Sequence, residues 1–178
     1  MFRRLLATVL TALALATFLP SGSASADTYG WRWTTTAIPV YSDAADSWKV
    51  DTAISLWNAN GAVQLYRVAS PVGTYGITIH EVDVISDGGI SVGSNTAGWA
   101  DFANVGTATQ TCDVTLKRLT SDIFKPTAVT HEIGHCLGLD HTTHKGSIMA
   151  ATLTIVAPNQ PSSWDYSQLS GLYRVAKG

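Results

Sequence analysis

Residues 131–141 read HEIGHCLGLDH, and the spacing inside this stretch decides how the chain around it must fold. His131 and His135 are four apart, so on an α-helix they share one face, and both Nε2 atoms can reach a single ion at about 2.0–2.1 Å. Glu132 lies one step round the helix. Its carboxylate therefore stays outside the coordination shell, where it can serve a metal-activated water as general base. His141 comes six residues after His135 and would point away if the helix ran on. Gly138 resolves this, because a glycine accepts positive φ at a helix C′ position and lets the chain turn back toward the ion. Composition alone, with 5 His and 15 Gly in 178 residues, would produce this pattern by chance roughly a few times in a million. Two plainer readings compete: a buried helix whose histidines only hydrogen-bond, and a closed structural zinc site. Neither gives Glu132 a task, and a closed site leaves no vertex for water.

The stretch resembles the extended metzincin signature HExxHxxGxxH, and Ser147-Ile148-Met149 follows it as a Met-turn would. The short run between His141 and Met149 is similar to the matrixin and serralysin-like branches. Looser likeness extends through residues 31–41, 50–68, 75–83 and 165–173. The resemblance implies His131, His135 and His141 as zinc ligands, Glu132 as base and acid, Gly138 as the helix-ending turn and Met149 as an apolar floor beneath the metal. It also implies a zincin-like α+β fold, a twisted mixed sheet of about five strands backed by two long helices, with a third helix at the C-terminus. The chain departs from the matrixin pattern in three places. No cysteine-switch segment precedes the first strand, Ala150 and Ala151 follow the methionine where a Pro-Tyr pair is usual, and His80 is the only histidine upstream of the motif. One catalytic zinc is expected, and no second.

Arg3 and Arg4, an apolar run over residues 5–19 and Ala24-Ser25-Ala26 form the three parts of a secretory signal peptide, residues 1–26. Residues 27–178 then make up the catalytic domain, enough for one core. The run is short for a membrane span, so a secreted, extracellular protein without a membrane partner is expected. Loss of Arg3 and Arg4 leaves 9 basic against 13 acidic residues, a net charge near −4 that disfavours nucleic acid and anionic lipid. A monomer is expected. In an exported chain two cysteines most simply pair, Cys112 with Cys136, which would tie the metal helix to a strand. Two free thiols, a redox switch or a fourth zinc ligand are the alternatives, the last at odds with an open vertex for water.

Along the chain, residues 29–40 read as a first strand with Trp31 and Trp33 on one face, and 47–58 as a helix with Trp48, Val50, Ile54 and Trp57 near helical spacing, ended by Asn60-Gly61. Residues 63–68 and 76–82 alternate as strands. The polar, glycine-rich stretch 83–98 wanders before a short strand at 98–102, which the family resemblance makes the sheet edge, able to take up an extended peptide by strand addition. The plain alternative is an ordinary loop and hairpin. Asp83, Asp87 and Asp113 offer oxygen ligands of the kind that hold a calcium ion. Residues 111–119 form a further strand, Pro126 opens the helix 127–137, and 162–175 closes the chain as a helix capped by Ser163 or Asp165, with Leu169, Leu172 and Tyr173 on one side. His144 reads as a solvated loop histidine, the alternative being a contact with substrate.

These readings converge on a secreted zinc-dependent endopeptidase that hydrolyses internal peptide bonds of a protein or peptide substrate. The competing functions are a zinc hydrolase of non-peptide substrates and a secreted zinc-binding interaction module without turnover.

Overall fold

The computed structural model describes residues 28–87, 90–91, 95–152 and 158–174; the expected signal peptide lies outside them. Its frame is a six-stranded sheet in the order β1-β8-β4-β2-β3, with β7 running along β8. The strands are β1 (Arg32–Trp33), β2 (Ala37–Ser42), β3 (Gln64–Arg67), β4 (Gly76–Val82), β7 (Gly98–Val105) and β8 (Ala108–Lys117). Four of the pairings are parallel and β7 is antiparallel to β8, so the sheet is mixed. A two-residue pair, β5 (Ser86–Asp87) and β6 (Ile90–Ser91), forms a separate ribbon in the stretch expected to wander.

The face toward the helices is written into the strands at a period of two. Cys112, Val114 and Leu116 of β8 are buried while Asp113 between them is exposed. Against this face lie α1 (Val50–Asn58) and α2 (Lys125–Cys136). In α1 the buried residues Val50, Ala53, Ile54 and Trp57 follow the i, i+3, i+4, i+7 pattern of an amphipathic helix. Trp57 also crosses to α2, its indole N–H donating to the Thr130 carbonyl at 2.9 Å. The metal helix α2 is buried along nearly its whole length and takes Pro126 in its first turn, where a missing N–H costs nothing. The third helix, α3 (Ser163–Arg174), packs Leu169 and Tyr173 into the core, with Leu172 half-buried beside them.

Three expectations are corrected. The single strand over 29–40 is two strands, because the chain bends through residues 34–36 and β1 pairs with β8 whereas β2 pairs with β3 and β4. The helix expected from 47 starts at Val50. Asp46–Trp48 forms a 3-10 turn that buries Trp48, and Lys49, at φ 59°, breaks it from α1. The cap of α3 is Ser162, not Ser163 or Asp165. Its hydroxyl accepts from the Asp165 N–H at 3.3 Å while the Asp165 carboxylate accepts from the Ser162 N–H at 2.7 Å, a reciprocal capping box. Cys112 and Cys136 are bonded, their Cα atoms 5.6 Å apart, so β8 and the end of α2 are covalently joined.

Candidate metal centre and active site

The site forms where α2 stops. Gly138 takes φ 95°, its N–H donates to the His135 carbonyl at 2.8 Å and the Leu139 N–H to the Gly134 carbonyl at 3.1 Å, which is a Schellman turn. A side chain would not fit there. A Cβ on Gly138 would collide with the Trp31 carbonyl oxygen and come within 2.7 Å of Leu172. From this turn the chain doubles back and brings His141 over the two helical imidazoles, its Nε2 lying 3.2 Å from Nε2 of His131 and 3.2 Å from that of His135.

The donor chemistry of this triad fits a zinc ion. The Nδ1 of His131 donates to the Ile148 carbonyl at 2.8 Å, and that of His135 to the Leu139 carbonyl at 2.8 Å. A carbonyl only accepts, so in both rings the proton sits on Nδ1 and the lone pair on Nε2 faces inward. Two nitrogens of a tetrahedral shell with bonds of about 2.0–2.1 Å stand about 3.3 Å apart, close to the separations found. Burial keeps the rings neutral, lowering His131 to about 4 and His135 to about 3. Among the described residues these three histidines are the one group of three or more metal-ligating side chains gathered together. His141 is the exposed member.

Glu132 points from the same helix toward the sheet edge and is buried, which pushes its carboxyl up to about 8. It rests against Gly98, the first residue of β7. A Cβ there would stand 2.6 Å from Glu132 Cγ and 2.7 Å from Oε1. The absence of a side chain at 98 is thus what makes room for the carboxylate, a function the sequence reading did not assign to this glycine. Among the described strands β7 pairs with β8 alone, over Gly98–Val105, so it is an edge strand, as β3 is at the far side, and is longer than expected.

Met149 is buried at the close of a loop that the Met149 carbonyl ties to the Thr142 N–H at 3.0 Å. Its sulfur occupies the space that a Cβ on Gly134 would need, so the helix can sit on the methionine only because residue 134 is glycine. The turn itself is held by Asp165. One carboxylate oxygen accepts from the Ser147 hydroxyl, and the other from the Ile148 N–H at 3.1 Å and from the Ser162 backbone and hydroxyl, each at 2.7 Å. Since the Ile148 carbonyl orients His131, this buried aspartate on α3 reaches the metal centre through the turn. A sequence reading assigns Asp165 a helix cap; the signal for more is a carboxylate on an otherwise apolar helix face.

The proposed calcium ligands are not gathered in this way. Asp83 pairs with Arg118 at 3.1 Å on the surface, Asp113 stands opposite Asp101 and Thr78 in the sheet, and the side chain of Asp87 is outside the described residues. His80 pairs with Asp43 at 3.1 Å, and His144 stacks on Trp164 with ring centroids 4.5 Å apart.

The family model described as Matrixin matches residues 34–174, the metal helix, its turn and α3 included. The chain belongs to the matrixin family. With that membership come zinc-dependent peptidase chemistry at the level of the family and the mixed sheet and three helices of the matrixin catalytic domain, which the fold reproduces. A comparison with curated proteins finds no match.

Proposed function

We propose that this matrixin is a secreted endopeptidase in which His131, His135 and His141 hold one zinc ion and Glu132 is the general base and acid. The observation that carries the proposal is the convergence of three Nε2 atoms, those of His131 and His135 with their lone pairs inward, beside a buried carboxylate one residue along the same helix. Zinc held by these three imidazoles would supply a Lewis acid for the scissile carbonyl and would acidify a water beside Glu132. A nearby dication also reverses the effect of burial on Glu132, since positive charge favours the carboxylate. Glu132 then takes a proton from the attacking water and returns it to the departing amine. Gly98 keeps the space in which that carboxylate moves. An extended peptide added along β7 would present successive carbonyls past Glu132, and this favours an internal bond of an unfolded chain.

Export is supported by the pattern of residues 1–26, by the disulfide and by the absence, among the described residues, of any helix long and apolar enough to cross a membrane. Residues 27–178 would then act alone as a monomer on protein or peptide, with no role for nucleic acid. The purified protein is expected to cleave casein at internal bonds. A chelator should stop it, zinc should restore it, and Glu132→Ala should lower kcat by several orders of magnitude with the metal retained. Calcium added after the chelator tests whether the Asp-rich loops matter. Hydrolysis of esters or non-peptide amides alone would favour the non-peptide hydrolase. Zinc-loaded protein that binds peptide without cutting it would favour the interaction module.

A further inference from the structure

We propose that Tyr29 is a positioning residue for the metal centre, its hydroxyl gripping Nδ1 of His135 and passing on the charge of Asp140. The inference rests on the reading of the triad as a zinc site. Tyr29 lies before residues 34–174, the part of the chain matched by the family model, and 106 positions from the histidine it touches.

The segment that carries it is fastened to the turn that ends α2. Thr28 bridges Leu139 in antiparallel fashion, and the Tyr29 N–H donates to the Gly138 carbonyl at 3.0 Å. The phenol ring is then fixed on several sides. It stacks on Trp31 at 4.8 Å between centroids and 10° between planes, and meets Phe102 of β7 at 5.4 Å and the His135 ring at 5.8 Å. This aims the hydroxyl at Nδ1 of His135, 3.2 Å away. The Nδ1 proton already goes to Leu139 at 2.8 Å, so the phenol oxygen is its second, longer acceptor, and the phenol's own proton is free to face Asp140. The Asp140 carboxylate is close enough to the phenol to accept its hydrogen bond.

Asp140 in turn accepts from the His141 N–H at 2.7 Å, so one carboxylate touches the backbone of one ligand and, through Tyr29, the ring of another. The Nδ1 of His131 likewise donates to a carbonyl, that of Ile148, so the hydroxyl is what distinguishes His135. A hydroxyl backed by a carboxylate holds the imidazole plane more tightly than a carbonyl alone and makes Nε2 a better donor.

The test uses Tyr29→Phe, which keeps the stacked ring and removes only the oxygen. Asp140→Asn keeps an acceptor and removes the charge. Tyr166→Phe, which deletes a comparable hydroxyl bonded to the Leu56 carbonyl at 2.7 Å, is the control. Zinc affinity is read by competition with a chromophoric chelator, and the ligand field by the visible absorption of Co²⁺-loaded protein. Tyr29→Phe is expected to weaken zinc binding by about 10- to 100-fold and to alter the cobalt spectrum. Asp140→Asn should change both in the same direction, the double variant should be no worse than Tyr29→Phe, and Tyr166→Phe should match wild type. Wild type that binds zinc together with Tyr29→Phe that binds it equally, with the same cobalt spectrum, would overturn the inference alone. Wild type that takes up no zinc would overturn the zinc reading, and this inference with it.

Discussion

Single atoms decide what residues 98, 134 and 138 must be. At Gly138 two constraints coincide, a φ of 95° and the Trp31 carbonyl where a Cβ would go, whereas at Gly134 and Gly98 the backbone is ordinary and only space is at stake. The neighbour at 134 is the Met149 sulfur and the neighbour at 98 is the Glu132 carboxylate, so the two substitutions should fail differently. Gly98→Ala is expected to lower kcat by on the order of 100-fold, since displacing a catalytic group by about 1 Å costs that much. Its zinc affinity should stay at the wild-type level. Kinetics paired with a zinc competition assay check this, and unchanged kcat would mean that Glu132 does not need the space. Asp165→Ala removes the acceptor for the Ser147 hydroxyl and for the Ile148 and Ser162 N–H groups at one stroke. Each buried donor left unpaired costs about 1–3 kcal/mol, so a loss of roughly 3 kcal/mol or more in urea denaturation is expected, with weaker zinc binding because the Ile148 carbonyl loosens its hold on His131.

Elements matter here by what they are fastened to. The metal helix is joined to β8 by Cys112–Cys136, to β1 by the Trp33 indole donating to the Cys136 carbonyl at 2.7 Å, to α1 by Trp57, and to α3 by the Tyr173 hydroxyl on the Leu137 carbonyl at 3.2 Å. Three of these four links end within the last turn or the cap of α2, where the ligand geometry is set. For cysteines 24 residues apart, loop-closure entropy assigns the disulfide about 3 kcal/mol. Cys112→Ser with Cys136→Ser should therefore lower stability by about that amount in denaturant titration. The remaining links should keep the helix end in place, so the folded double variant should still bind one zinc. Failure to bind would show that the covalent tie itself orders the ligands.

For the molecule as a whole, legibility followed the range of the interaction. Residues 76–82 alternate in the sequence, are bounded by a glycine, and form β4 over those same positions, although in this inner strand Thr78 is buried along with Ile77 and Ile79. The turn at Gly138 is equally plain, since its requirement lies within one helical turn of the residue. The break at 34–36 is hidden because Thr34, Thr35 and Thr36 carry good strand propensity, and only the divergence of pairing partners separates β1 from β2. Gly98 and Tyr29 escape a linear reading altogether, since the partners that matter are 34 and 106 positions away and nothing local distinguishes a glycine facing a carboxylate from one in a loop. Asp165 reads locally as a cap, and its clasp on the Met149 turn, 17 positions away, is signalled only by a carboxylate on an otherwise apolar helix face.

The most direct test of the account is X-ray absorption at the zinc edge on protein loaded with one equivalent of metal. Three imidazole nitrogens and one further light atom at about 2.0–2.1 Å are predicted, with the first shell losing a nitrogen in His141→Ala. A sulfur at about 2.3 Å, or a shell unchanged by that substitution, would contradict a zinc site built from His131, His135 and His141.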